Sequence, residues 1–268
     1  MKLKLPQTLQ ILPVFLLAFI CFTANAQKLP ATQQVSLWIP ANIKVDGKAD
    51  EWNGKFQAYN SNNHLFYTIA NNDKNLYLIV YSTDRFTIQK IVRWGVALTV
   101  SNSKKSKDPN NVVISFPIAD EKKNLTISKS ASEYNHILNN KKATDSLMKA
   151  INVKLGIAYK EIQIAGIKEI NDPSISVYNM LGIKAVALFD NKLAYTYELA
   201  IPLKYINGLL NSEARFSYNI KLNGGGVKVN PKAPPGPVNI DGSEGEDPNT
   251  QYLFSPTDFW GEYTLAKK

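Results

Sequence analysis

Sugar recognition needs an aromatic plane open to solvent, with polar groups beside it to hydrogen-bond hydroxyls. Four tryptophans could supply that plane. Trp94 shares an alternating face with Val92, Val96 and Leu98, so it is expected in the core. Trp52 follows a turn and is expected to pack there. Trp38 lies opposite Val35, Leu37 and Ile39, and Trp260 lies with Glu262 and Thr264, opposite Phe259, Tyr263 and Leu265. Trp38 and Trp260, with Glu262, are therefore the candidate ligand-binding residues. If the first and last strands are neighbours, the two indoles form one stacking surface. The other reading is that they cover the outside of a sheet beneath an insertion.

Calcium takes several hard oxygen ligands from carboxylates and carbonyls. Asp241, Glu244, Glu246 and Asp247 lie in a Gly-containing stretch able to fold around an ion. Their spacing is not that of an EF-hand loop, and a solvated acidic loop is the alternative. Asp46, near a turn, is expected to cap its own backbone. The chain contains no Gly-x-Ser-x-Gly, no His-Glu-x-x-His and no phosphate-cradling loop. Its two histidines, His64 in an Asn-rich turn and His136 on an amphipathic stretch, are expected at the surface. No pair of carboxylates is singled out for glycoside hydrolysis. The expectation is a protein that is not an enzyme.

The elements that would position these residues are mostly short strands with two-residue alternation. Val35 to Ile39, Leu76 to Tyr81 (apolar on both faces, so a central strand), Ile91 to Val100, Val112 to Phe116, Ile183 to Phe189, Leu193 to Ile201, Arg215 to Leu222 and Phe259 to Leu265 read as strands. In the seventh of these, Phe216, Tyr218, Ile220 and Leu222 alternate with Arg215, Ser217, Asn219 and Lys221. Asp46-Gly47 is a tight-turn signal. Residues 132–151 carry apolar side chains at helical spacing, with Ser132 or Thr144 as possible caps, and read as a helical insertion. Residues 223–256, rich in Gly, Pro and acidic residues, read as one long loop. The pattern predicts an all-β antiparallel sandwich with a short helical insertion.

The first residues look like an export leader. Lys2 and Lys4 precede an apolar run from Ile11 to Phe22, and Thr23-Ala24-Asn25-Ala26-Gln27 offers an Ala-x-Ala cleavage site. The run is well short of the ~20 residues a spanning helix needs. Cleavage after Ala26 would leave a single domain from 27 to 268, with no transmembrane segment, in the periplasm or outside the cell. The only cysteine is Cys21, so the mature chain would hold no disulfide and no thiolate. The net charge is +9, and its lysine clusters lack the arginine-rich, aromatic-interleaved pattern of a nucleic-acid interface. No nucleic-acid partner is expected.

Four blocks in order resemble a known family. Ile43-Lys44-Val45-Asp46-Gly47-Lys48-Ala49-Asp50-Glu51-Trp52 resembles the opening motif of the family 9 carbohydrate-binding module and its DOMON-like relatives. Asn72 to Leu78, with Asp84 after the strand, is similar to the second block. Tyr197-Glu198-Leu199-Ala200-Ile201-Pro202-Leu203 is similar to the third, and Phe259 to Leu265 to the closing strand. The resemblance implies a jelly-roll sandwich, a small-ligand site that is typically for a sugar, and often a structural calcium. Haem-binding relatives make a haem accessory a further alternative, with Met148, Met180, His64 and His136 as the only candidate axial ligands among Met and His of the mature chain. The expected function is that of a secreted glycan-binding protein. The alternative is a cell-envelope module that binds another protein.

Overall fold

Alternation of apolar and polar residues over five to eight positions drives most of this chain into strands that bury one face. The computed structural model describes residues 28–39, 43–52, 54–103, 108–118, 140–225 and 248–268. Among the described residues eleven strands form two antiparallel sheets. The five-stranded sheet runs in the order β1 (Ala58–Asn60), β2 (Leu65–Asn71), β3 (Asn75–Ser82), β9 (Tyr195–Pro202) and β8 (Lys184–Phe189). The six-stranded sheet runs β11 (Thr257–Thr264), β10 (Arg215–Leu222), β4 (Val96–Ser101), β5 (Val112–Phe116), β6 (Glu161–Ala165) and β7 (Ser174–Ser176). The chain is an all-β sandwich, as its alternation predicts.

The core lies between the sheets. Leu65, Tyr67 and Ile69 of β2, Leu76, Leu78 and Val80 of β3, and Tyr197 and Leu199 of β9 meet Leu98, Ile114, Tyr218 and Ile220. The hydroxyls of Tyr67 and Tyr218 hydrogen-bond across the core at 2.9 Å, and the Gln33 backbone N–H donates to Tyr67. A second apolar cluster sits on the outer face of the five-stranded sheet. There Tyr77, Ile79, Ala70 and Ala200 are covered by Ile39 and Trp52 from the N-terminal tract. This is why Leu76 to Tyr81 is apolar on both faces: its strand is buried on both sides.

Four expectations from the sequence need correction. Ile91 to Trp94 is not strand but the end of helix α1 (Arg85–Trp94). The Asp84 carboxylate caps it, accepting from the Thr87 N–H at 2.8 Å, and Ile88, Ile91 and Val92 form the buried stripe. The helix stops at Gly95, and only then does β4 begin. Trp94 therefore lies half-buried at a helix end, against Phe254, rather than inside the sandwich. The helical insertion is displaced: α2 spans Lys141–Ala158, capped by the Asn140 side chain, with Thr144, Met148 and Leu155 buried. Its expected first part, residues 132–139, lies outside the described residues. The stretch 223–256 is not loop throughout, since Pro248–Phe254 forms helix α3. Val35 to Ile39 contributes no strand, only an isolated bridge between Trp38 and Asn71.

Candidate functional site

The motif Asp46-Gly47 and the two residues Trp52 and Glu198 converge on one point. Glu198 is 2 % exposed on the outer face of the five-stranded sheet. One carboxylate oxygen accepts the Trp52 indole N–H at 2.8 Å; the other accepts the Asp46 and Gly47 backbone N–H groups at 2.9 and 2.8 Å. Burial pushes the Glu198 carboxyl above the usual carboxylate range, and the three donors from Trp52, Gly47 and Asp46 oppose that rise. With its lone pairs taken by the fold, Glu198 acts as the anchor for the turn and for Trp52. Trp52 packs, as its place after a turn predicts. Gly47 is required twice over: its φ is +79°, and a Cβ there would meet Leu188 Cγ at 2.7 Å.

A half-buried indole lies on the outer face of the other sheet. In β11, Phe259 packs against Tyr67 and Tyr263 is buried, so Asp258, Trp260, Glu262 and Thr264 point away from the core. Trp260 is half-buried, and its cross-strand partner is Asn219 of β10. Asn219 in turn pairs with Thr99 of β4, so the indole heads a polar row across the sheet's outer face. The Asn219 amide donates to the Asp258 carboxylate at 2.6 Å and to the Phe259 carbonyl at 3.1 Å. Glu262 faces Ser217, and its carboxylate lies 4.0 Å from the Arg215 guanidinium, which also reaches Glu213 at 3.2 Å. These ion pairs are exposed and weak. An indole flanked by carboxylates, an amide and a guanidinium can stack on a sugar ring and hydrogen-bond its hydroxyls.

Trp38 is placed differently. The first tract does adjoin the last strand: the Tyr263 hydroxyl donates to the Leu37 carbonyl and lies within hydrogen-bonding distance of Asn71, and the Ser36 hydroxyl donates to the Thr264 carbonyl. Yet Trp38 pairs with β2 of the five-stranded sheet, whereas Trp260 belongs to the six-stranded one. No ring contact joins the two indoles among the described residues. Asp241, Glu244, Glu246 and Asp247, like His136, lie outside the described residues. Among the described residues no three His, Cys, Asp or Glu side chains gather as a metal site. Met148 is buried in the core, Met180 is exposed on a loop, and His64 sits in the β1–β2 turn with a φ of 49°.

The sequence singles out Trp260 and Glu262 but not Asn219, Asp258 or Arg215. Alternation in Arg215 to Leu222 places Arg215 and Asn219 on the polar side; what it lacks is the pairing of β10 with β11 that brings them to Trp260. A second buried polar group escaped pattern reading altogether. Lys90 of α1 is fully buried, its ammonium 4.3 Å over the Tyr252 ring and hydrogen-bonded to the Thr257 hydroxyl at 3.0 Å. Burial pushes its pKa down to about 8. No helix among the described residues is long and apolar enough to cross a membrane. No protein-family model, curated protein or solved structure matches this chain.

Proposed function

We propose that this protein is an exported, non-catalytic sandwich that binds carbohydrate on the outer face of its six-stranded sheet. The observation that carries the reading is the half-buried indole of Trp260 in mid-strand, with Asn219, Asp258, Glu262 and Arg215 arranged around it. The indole supplies stacking area, and the surrounding groups offer both donors and acceptors to sugar hydroxyls. The leader-like sequence of residues 1–26 supports a ligand met outside the cytoplasm. Trp38, at the edge of the other sheet, is a flanking contact for a longer glycan.

Calcium belongs to the same reading as a structural partner of the acidic run from Asp241 to Asp247. Chelation would then lower the stability of the protein and with it glycan binding. The test is a glycan array of the exported protein, with calcium and with chelator, repeated with Trp260→Ala and Trp38→Ala. The reading requires a specific hit that Trp260→Ala reduces by about tenfold or more, the size expected for losing a central aromatic anchor. A hit untouched by Trp260→Ala would move the site elsewhere.

A further inference from the structure

A separate groove opens at the end of the sandwich where β4 and β6 finish and β5 begins. Its volume is about 420 Å³, within the range of small-ligand sites. Three connections build it: the one after β4, the one after β6, and the pair of 3-10 turns after β9 (Leu203–Tyr205 and Asn207–Leu209). Buried Val112, Ile167 and Leu209 supply the apolar residues of its lining. Gly166 lets the connection after β6 lie directly against the Asn111 carbonyl, which a Cβ would strike, so the wall is closed at that point.

The polar lining is mixed in sign. Lys168, Lys204, Glu169, Asn102 and Asn110 are the charged and amide residues of the lining, and the Asn110 amide also donates to the Asp108 carboxylate at 3.0 Å. Neither lysine forms an ion pair among the described residues. Lys204 is held with its ammonium 4.7 Å over the Tyr205 ring, and the ring is fixed by its hydroxyl's hydrogen bond to the Leu181 carbonyl at 3.2 Å. The cation is thus pre-positioned rather than free to sample all rotamers.

We propose that this groove binds a sugar acid. The two lysines take the carboxylate, while Glu169 and the Asn102 and Asn110 amides hydrogen-bond hydroxyls. A bare inorganic anion would be repelled by Glu169 and would leave the amides unused, so the lining suits a ligand that carries both an anionic group and hydroxyls. The groove is distinct from the Trp260 face and stands whether or not that face binds glycan.

The test is calorimetric titration of the exported protein with a digalacturonate, a neutral disaccharide of the same size, and acetate. The digalacturonate should bind, and binding should weaken about tenfold in Lys168→Ala/Lys204→Ala and fall with added salt. All titrations are run in the Trp260→Ala background, so that binding at the outer face does not contribute. Both lysines are exposed, and a thermal melt of the double variant matching wild type confirms that the loss is not unfolding. No binding of digalacturonate overturns the proposal. So does equal binding of the neutral disaccharide or of acetate in that background, or digalacturonate binding that survives the double substitution.

Discussion

Glu198 shows how much one buried side chain can organise. Its carboxylate satisfies three N–H donors that would otherwise be buried without partners. Replacing it with Gln puts an amide NH₂ among those donors, so Glu198→Gln is expected to cost about 2 kcal/mol in urea denaturation. Tyr197, next along the strand but facing the core, provides the contrast. Its hydroxyl is buried with no hydrogen-bond partner among the described residues, so Tyr197→Phe should cost nothing or raise the melting temperature. The pH dependence of Glu198 follows from its raised native pKa. The proton-linked part of stability is greatest below the unfolded value of 4.5 and declines as pH rises through the native value. Lys90 titrates with the opposite sense. Its native pKa of about 8 lies below the unfolded 10.5, so the cost of burying its charge is relieved across that window. The stability difference between wild type and Lys90→Met should shift in favour of wild type as pH rises from about 8 to 10.5, which denaturant melts across that range would read. The roles of Asp46, Gly47 and Trp52 as a turn and a packed indole were legible locally. Their common acceptor was not, because Glu198 stands 146 residues beyond Trp52.

At the scale of elements, the strands with clean alternation form where the sequence predicts them, and Arg215 to Leu222 matches residue for residue. The failures have a common cause. Val92, Trp94, Val96 and Leu98 keep a two-residue rhythm straight across a helix end, so alternation alone hides the break at Gly95. The informative signal was the Asp84 cap, followed by Ile88, Ile91 and Val92 at helical spacing. β1, β6 and β7 are short edge or near-edge strands of three to five residues, too brief for a pattern to establish itself. The N-terminal tract gives little strand because its task is to cover the outer face of the five-stranded sheet, pinned by Gly47 against β8. Gly47→Ala forces both a left-handed backbone and a clash with Leu188. It should destabilise by roughly 2 kcal/mol, with the loss visible first as exposure of Trp52 in fluorescence.

The whole molecule divides its labour between two outer faces. One is closed: the tract from Leu37 to Phe56 lies over the five-stranded sheet and buries an apolar layer there. The other carries the half-buried Trp260 beside exposed Asp258 and Glu262 and buried Asn219 and Thr99, and it is the face proposed for a glycan. The face of Trp260 was legible from the alternation of its own strand, whereas the groups around it depend on which strands pair, which no local pattern encodes. An exported protein should begin at Gln27, which an intact mass of the chain recovered after export would establish. The central claim is tested most directly by measuring glycan affinity for wild type beside Trp260→Ala, using the best ligand from an array. The account predicts a specific glycan whose affinity falls about tenfold or more on loss of the indole, with the fold intact by thermal melt. A well-folded wild-type protein that retains no glycan, or one whose affinity is indifferent to Trp260, would contradict it.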